Sequence, residues 1–523
     1  MHRCILTINN LVIAYLLLSL FSLSFAQDAG LDTSFGTGGL VTTDLSGSYD
    51  DANDIQLQND GKIVVVGNTG INLALVRYNT NGSLDHNFGN SGVVTSNFPN
   101  ANSTNGWAVA IQPNGKLVVA TNVDKGDGDI GLVRYNSDGS IDNTFGNSGF
   151  FSKDFGSAEQ VADVALQQDG KILVAGGYTD QNPDFAVFRY NSDGSIDSSF
   201  GNNGFTKTNH GNETNVAQKM VLQPDGKIIV VGNDYNGLNF EGDVMVVRYN
   251  SDGSLDTGFG KNGIVTTGEL ANYDYAWTVL LQPDRKIIVG GAFRTHSSKN
   301  AILLIRYNSD GSLDTGFGNN GISISPQMNN DAANAYAIFL LTDGKILMAG
   351  SLNQDFLVGV YTSNGKVDST FGTNGFISAP GAGNVKDAEL QNDGKLVIVG
   401  TIQKNPLDIS SLDFSLARFT LGNISTSVQV DKNTIPNEFV LNQNFPNPFN
   451  PSTTIEFSIP QQSFATLKVY DLLGREVASL VNKELQAGSY KTIFNASNLA
   501  SGVYLYRLNA GGFFQSKKLM LIK

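Results

Sequence analysis

Arg-Tyr-Asn-Ser-Asp-Gly-Ser-Leu-Asp runs from Arg248 to Asp256 and returns with small changes from Arg134, Arg189 and Arg306. Its oxygens fall at the spacing of a calcium loop of the form Asp-x-Asn-x-Asp-Gly-x-x-Asp. The first position decides the chemistry. It holds arginine where the loop needs a carboxylate, and a guanidinium there repels a cation. Each Arg can instead pair with an Asp further on, Asp142, Asp197, Asp256 or Asp314, as a clamped turn. That is scaffold chemistry, and neither a metal site nor a cofactor is expected.

Other reactive constellations are thinner. His86, His210 and His296 are the histidines beyond the N-terminal segment, they stand in different repeats, and none has a second ligand at zinc spacing. No Gly-x-Ser-x-Gly elbow occurs, although a Ser-His-Asp set can be assembled in space from distant positions. The Phe-Gly-x-x-Gly turns have no helix after them to make a phosphate cradle. Cys4, the only cysteine, lies in the N-terminal apolar segment, so the chain beyond that segment has no disulfide or thiol chemistry. Enzymatic activity is therefore not expected, with a secreted polysaccharide-degrading enzyme using an acidic site kept as the alternative.

The elements that carry these residues are repeated. A first motif, Leu-Asp-x-x-Phe-Gly-x-x-Gly, places its Phe at Phe35, Phe88, Phe145, Phe200, Phe259, Phe317 and Phe371. A second places Lys at Lys62, Lys116, Lys171, Lys227, Lys286, Lys345 and Lys395. The third, Arg-Tyr-Asn, decays to Val360-Tyr361-Thr362 and Arg418-Phe419-Thr420. A fixed period of this length means one supersecondary unit stacked on itself. Within the repeat from Leu255, strands are read at Ile264–Thr267, Thr278–Gln282, Ile287–Gly290 and Ala301–Tyr307, joined by turns rich in Asn, Asp and Gly. Four short strands without helical periodicity make a propeller blade, and the fold class expected is all-β: a seven-bladed β-propeller of four-stranded blades followed by a small C-terminal β-sandwich. An open β-solenoid is the competitor. The closure phase stays open: each blade runs intact from Leu-Asp to Arg-Tyr, or Leu40-Val41-Thr42 crosses over to complete the last one.

These motifs resemble the bacterial delta-60 repeat family, on Gly253-Ser254-Leu255-Asp256-x-x-Phe259-Gly260 and Gln223-Pro224-Asp225-Gly226-Lys227-Ile228. The resemblance spans Leu31 to about Thr420 and implies a secreted, propeller-like region without an agreed activity. Residues 421–440 read as a linker and 441–523 as a separate β-sandwich. That last segment resembles the C-terminal sorting domain of type IX secretion cargo. The match rests on Pro446, Asn447, Pro448 and Phe449, on Tyr470, Asp471, Gly474 and Arg475, on Gly502 and Tyr504, and on Lys517 and Lys518. It implies partnership with the type IX machinery and delivery to the outer-membrane surface or beyond in a Gram-negative bacterium. A carbohydrate-binding or fibronectin-like module is the other reading of this segment.

Charge and the N-terminus agree with export. With 34 Lys+Arg against 48 Asp+Glu the chain lacks the basic footprint of nucleic-acid binding. Residues 1–26 read as a signal peptide, with His2 and Arg3 before an apolar run and Ser24-Phe25-Ala26 as a cleavage site, leaving residues 27–420 for the propeller and no transmembrane anchor.

Function is sought where the repeats disagree. Variable sequence collects in connections such as 122–129, 180–184, 234–243 and 293–299, which share one face of the expected fold. The position nine residues before each repeated Lys holds Asn53, Trp107, Ala162, Gln218, Trp277, Tyr336 and Lys386, so both tryptophans share a structural slot. Trp107, Trp277 and Tyr336 are the candidate ligand-binding residues, able to stack on sugar faces or anchor a protein. A strict period of two sends them instead into the packing between blades with Val109/Ile111 and Val279/Leu281. The function expected is an exported binding or adhesion module for a glycan or protein, with a purely structural surface component as a further alternative.

Overall fold

The computed structural model describes residues 29–422 and 439–522, apart from 46–48, 127, 212–213, 237–240, 269–272, 295–298, 327, 329–330, 406–407, 409–410, 445–446, 448, 472, 486–487 and 497–498. The expected signal peptide and most of the expected linker lie outside the described residues.

Every regular element among the described residues is a β-strand. Up to Thr420 they form four-stranded antiparallel units around a ring. The innermost strands are Asp50–Leu57, Ser103–Ile111, Ala158–Leu166, Thr214–Leu222, Tyr273–Leu281, Ala333–Leu340 and Asn384–Leu390. Each packs against the next, and the last packs against the first, which closes the ring. We number the blades 1 to 7 by these strands. The second strands, such as Ile63–Thr69 and Ile228–Asn236, begin with continuous apolar runs because both of their faces are covered. Each hydrophobic cluster is shared by two successive blades. Val64 and Val66 of blade 1 pack with Val109 and Val119 of blade 2, and Val397 and Phe414 of blade 7 with Ile55 and Val65 of blade 1.

The phase is the crossed one. Ile264–Thr267 does not open a blade; it pairs with Glu241–Tyr249 as the outermost strand of blade 4. By the same rule Leu40–Thr43 pairs with Leu412–Thr420 and completes blade 7, with Leu40 opposite Ala417 and Thr43 opposite Phe414. The two ends of the propeller are thus held in one sheet.

The repeated motifs build the seams. In blade 2, Arg134 Nε donates to Asp142 Oδ2 at 2.7 Å and Lys116 Nζ reaches the same oxygen at 2.7 Å. The guanidinium lies 4.5 Å over Phe145, and its Nη1 donates to the Ser192 carbonyl of blade 3 at 2.7 Å. Burial works against the charge on Asp142, but Lys116, Thr144 and Arg134 outweigh it and hold that carboxyl well below the carboxylate range. Arg77, Arg189, Arg248 and Arg306 repeat the set with Asp85, Asp197, Asp256 and Asp314. Arg418 completes it with Asp32 at 2.8 Å, across the closure. In the blade where Val360 replaces Arg, Asp368 keeps only Lys345, at 2.9 Å. The carboxylate that a calcium loop would need is therefore taken by two cations.

Beyond the propeller, one sheet holds Val440–Leu441, Ser452–Ile459 and Gly488–Asn495. A second holds Glu476–Leu485, Ser463–Tyr470, Gly502–Ala510 and Phe513–Leu521. A common core including Leu441, Phe449, Ile455, Leu467 and Tyr506 lies between them, as in a sandwich. The strand Glu476–Leu485 is not foreseen by sequence. Its pairing is interrupted by two register shifts and its burial does not alternate, so it carries no period-two signal.

Candidate functional site

The connections that lead into each innermost strand, and those between second and third strands, share one face of the ring. The tight Asp-Gly-Lys turns lie on the other. Innermost strands therefore run from the variable face toward the constant one, and their side chains line the central channel in that order.

A β-bulge breaks every innermost strand at the same place. The register shifts fall between Ala52/Asp54, Gly106/Ala108, Val161/Asp163, Ala217/Lys219, Ala276/Thr278, Ala335/Ala337 and Val385/Asp387. The residue skipped in each is the slot residue: Asn53, Trp107, Ala162, Gln218, Trp277, Tyr336 or Lys386. A bulge places consecutive side chains on nearly the same side, which resets the alternation. A glycine opposite makes room for it in six of the seven blades, and in blade 2 Thr121 stands opposite and the glycine, Gly106, is on the innermost strand itself. A Cβ on Gly350 would stand 1.9 Å from the Asn334 carbonyl oxygen, and one on Gly232 2.0 Å from that of Val216.

This bulge answers where the tryptophans go. Trp107 is 40% exposed on the wall of blade 2 and does not enter the packing with Val109. Trp277 and Tyr336, on neighbouring blades 5 and 6, stack with centroids 4.8 Å apart and an interplanar angle of 17°. Tyr275 continues the stack at 5.5 Å and Tyr273 at 6.4 Å, where Arg294 covers the end ring from 4.4 Å. The three candidate residues thus divide: two belong to one ladder, and the third stands across the ring from it.

One residue further along each strand, the bulge turns a second set to the axis. It reads Asp54, Ala108, Asp163, Lys219, Thr278, Ala337 and Asp387. Lys219 Nζ, from blade 4, lies 2.9 Å from Asp387 Oδ2 of blade 7, 3.7 Å from Asp163 Oδ1 of blade 3 and 3.8 Å from Asp54 Oδ1 of blade 1. One ammonium therefore spans the channel and ties together blades on opposite sides. Burial alone would lower the Lys219 pKa, but Asp163, Asp387 and Asp54 outweigh it and raise it well above the usual value. Burial raises Asp54 and Asp163 despite the ammonium, with Asp387 adding to both. Their oxygens are also used structurally: Asp54 Oδ2 accepts from Val109 N at 2.7 Å and Asp163 Oδ2 from Met220 N at 2.8 Å, each on the following blade. Nearer the variable face, Lys386 Nζ contacts Asp51 Oδ2 at 2.9 Å and Asn53 Oδ1 at 3.4 Å.

Along the innermost strands, aromatic residues stand on blades 2 and 5–6 and polar ones on blades 7 and 1 toward the variable face, with the Lys219 cluster beyond them. The candidate site is this cup-like arrangement of walls and floor. Sequence reading missed this floor because it weighed the slot residues and not the position that follows them. The usable signal was the position after the slot, where a lysine in one repeat matches aspartates in three others. It also missed an acidic group on the variable face, since Asp413 is far in sequence from Asp44 and Asp50, yet all three place their ligand atoms within 4.8 Å of one another.

In the C-terminal domain, Asn447 Oδ1 accepts from Met520 N at 2.9 Å, and buried Phe449 is bonded through its backbone to Met520 and Ile522. Asp471 staples its turn through Arg475 Nε at 2.7 Å, and Gly474 there has φ +80°. Tyr504 Oη donates to the Ala500 carbonyl at 2.7 Å, on the strand that Gly502 begins. Tyr470 ends its strand under the Arg507 guanidinium at 4.9 Å, and Lys517 and Lys518 lie on the last strand. Pro446 and Pro448 lie outside the described residues.

Comparison with known proteins places both parts. The family model of a domain of unknown function described as the DUF5122 β-propeller matches residues 58–88, 112–145, 167–200, 223–259 and 282–317. That of the secretion system C-terminal sorting domain matches residues 443–523. The chain carries DUF5122 propeller repeats and a type IX sorting domain. With that sorting domain the protein is exported to the cell surface or the extracellular space. No curated protein matches it. Among solved structures, the repeats and sorting domain together align with PorZ, a surface component of the type IX secretion system of Porphyromonas gingivalis. The identity is 12% and the TM-score 0.35, over 90% of this chain and 59% of PorZ. Drosophila Semaphorin 2a aligns at 10% identity and TM-score 0.43, over 95% and 98% of the two chains. Virginiamycin B lyase from Staphylococcus aureus aligns at 11% and 0.42, over 72% and 98%. At these values the likenesses carry no argument about activity.

Proposed function

We propose that the DUF5122 propeller is an extracellular binding module that takes a glycan or a protein segment into the cup on its variable face. The sorting domain hands it to the type IX machinery, its partner in export. The observation that carries this reading is the pair of aromatic walls: Trp107 presents an exposed ring, and the Tyr273–Tyr275–Trp277–Tyr336 ladder faces it across the channel. Aromatic rings held at fixed separation lose little entropy on binding and suit the apolar faces of sugars or the side chains of a peptide.

The acids around Lys219 favour a second reading, an enzyme with a general acid and base among carboxyls of raised pKa. Against it, Asp54 and Asp163 are buried and spend oxygens on backbone N–H groups of the next blade, which suits a structural floor. A glycan array with the full-length protein, repeated with Trp107→Ala and Trp277→Ala, tests the proposal. Binding lost in both variants supports it, and binding unchanged in both overturns it. Turnover of a bound polysaccharide that is lost in Asp54→Asn would favour the enzyme.

A further inference from the structure

On the variable face, the third strand of each blade starts next to the first strand of the following blade. At three of these boundaries both sides are acidic. Asp413 of blade 7 meets Asp50 of blade 1, with Asp44 completing a group whose ligand atoms lie within 4.8 Å of one another. Asp129 of blade 2 faces Glu159 of blade 3, and Asp243 of blade 4 faces Asp274 of blade 5.

The inner member of each pair is sealed from solvent, with Asp50 and Asp274 0% and Glu159 1% exposed. Among the described residues, no hydrogen-bond donor reaches either oxygen of Asp274, and Glu159 has only the Phe155 and Ser157 backbone nearby without a well-formed bond to either oxygen. Asp50 Oδ1 is likewise unbonded, while Leu45 N and Thr69 serve the same carboxylate. Buried carboxylate oxygens without donors cost several kcal/mol each unless something else neutralises them. Where the inner strand is not acidic, the boundary is satisfied within the protein. Asn215 donates to Asp234 Oδ1 at 2.7 Å, Asn209 to Asp184 Oδ1 at 2.8 Å, and Gly381 N to Asp355 Oδ1 at 2.7 Å. The deficit thus follows the acid pairs and not the fold. At the boundary of blades 7 and 1 a cation is already drawn in: Lys404, on a half-exposed stem, closes on Asp413 and stands 3.9 Å from Asp44. Among the described residues, Glu159 and Asp274 have no such lysine.

We propose that these boundaries bind divalent cations of the calcium class. Asp44, Asp50 and Asp413 form the most complete site, and Asp129–Glu159 and Asp243–Asp274 form two others on the same plan. Hard oxygen donors from carboxylates suit calcium, and its flexible coordination tolerates sites that differ in ligand count. Lys404 is the built-in competitor at the first site and swings to solvent when the ion enters. Each ion would bridge two blades, so binding would add to stability by mass action.

The test uses the full-length protein stripped with chelator. Isothermal titration with calcium chloride, and metal analysis after dialysis, should find calcium bound, with up to three ions per chain and a raised melting temperature. Asp50→Asn, Glu159→Gln and Asp274→Asn should each remove one ion while the circular dichroism spectrum is kept, and Lys404→Met should tighten the first site. No bound calcium at 5 mM, or binding that none of the three substitutions diminishes, would overturn the proposal. So would a stripped protein that calcium leaves unshifted while the amide variants melt higher, the result expected if these pairs merely share a proton.

Discussion

Replacing Lys219 with methionine removes the positive charge at the floor of the channel and keeps most of its bulk. The ammonium touches Asp387 at 2.9 Å and stands 3.7 and 3.8 Å from Asp163 and Asp54. Removing one partner of a buried ion cluster costs about 3–5 kcal/mol. With the Lys219 side chain 28% exposed and only one contact at hydrogen-bond distance, the low end, about 3 kcal/mol, is expected. The loss must depend on pH. Asp54 and Asp163 are raised above their ordinary value of 3.8, so the folded state binds their protons more tightly than the unfolded state does. Their contribution is greatest below that value and is lost as pH rises through the raised folded values. Lys219 is raised above 10.5, so its contribution is complete below that value and is lost only as pH rises through its higher folded value. Without the ammonium, the carboxyls rise further, and acid relieves the crowding. Urea denaturation between pH 5 and 8 should show the variant far weaker than the parent at pH 8 and closer to it at pH 5. Asp387→Asn added to the variant should restore part of the loss, a coupling that a double-mutant cycle isolates. A cost independent of pH, together with no recovery in the double variant, would refute the central role given to this cluster.

Gly350→Ala places a Cβ 1.9 Å from the Asn334 carbonyl, so the bulge must open, and a loss of about 1–3 kcal/mol in denaturation is expected, whereas Gly258→Ala, with its nearest neighbour at 3.4 Å, should be nearly neutral. In chelator, Glu159 is pushed up to about 8 by burial with Asp129 and Asp154 adding, and Asp274 to about 7 by burial with Asp243 adding. Folded-state pKa values raised in this way make stability fall as pH climbs from 5 to 8, and Glu159→Gln with Asp274→Asn should flatten that fall in melting curves. Phe449→Ala empties a buried position of the sorting domain and should cost that domain about 3–5 kcal/mol, read as an earlier separate melting step with the propeller transition unmoved.

What could be read in the sequence was what repeats. The period exposed the blade, and the Arg-led turns declared their Arg–Asp clamp because a guanidinium sits where a calcium loop needs an acid. What could not be read was decided by geometry that breaks the period. Strict alternation offered Trp107 and Trp277 a place between blades. The bulge at each of their positions cancels that alternation, and its trace in sequence is indirect: a glycine such as Gly67, Gly232, Gly350 or Gly400 on the facing strand. Asp44, Asp50 and Asp413 illustrate the other limit. Asp413 joins Asp44 and Asp50 only where the last blade closes on the first, so no local pattern could have brought the three together.

The same bulge explains how one scaffold carries different chemistry around its ring. The bulge holds the slot and the residue after it at the channel in every blade, whatever those residues are. Seven copies therefore vary at positions whose direction is already fixed: Trp107, Trp277 and Tyr336 on the walls, Asp54, Asp163, Lys219 and Asp387 at the floor. A charge placed at such a position meets partners from blades far away in sequence, as Lys219 does with Asp54 and Asp387. A single substitution at the floor therefore acts on several blades at once. Loss at a seam such as Arg134–Asp142 acts on two, and nature has already accepted one such loss at Val360. Variation at the floor should accordingly be the less tolerated of the two.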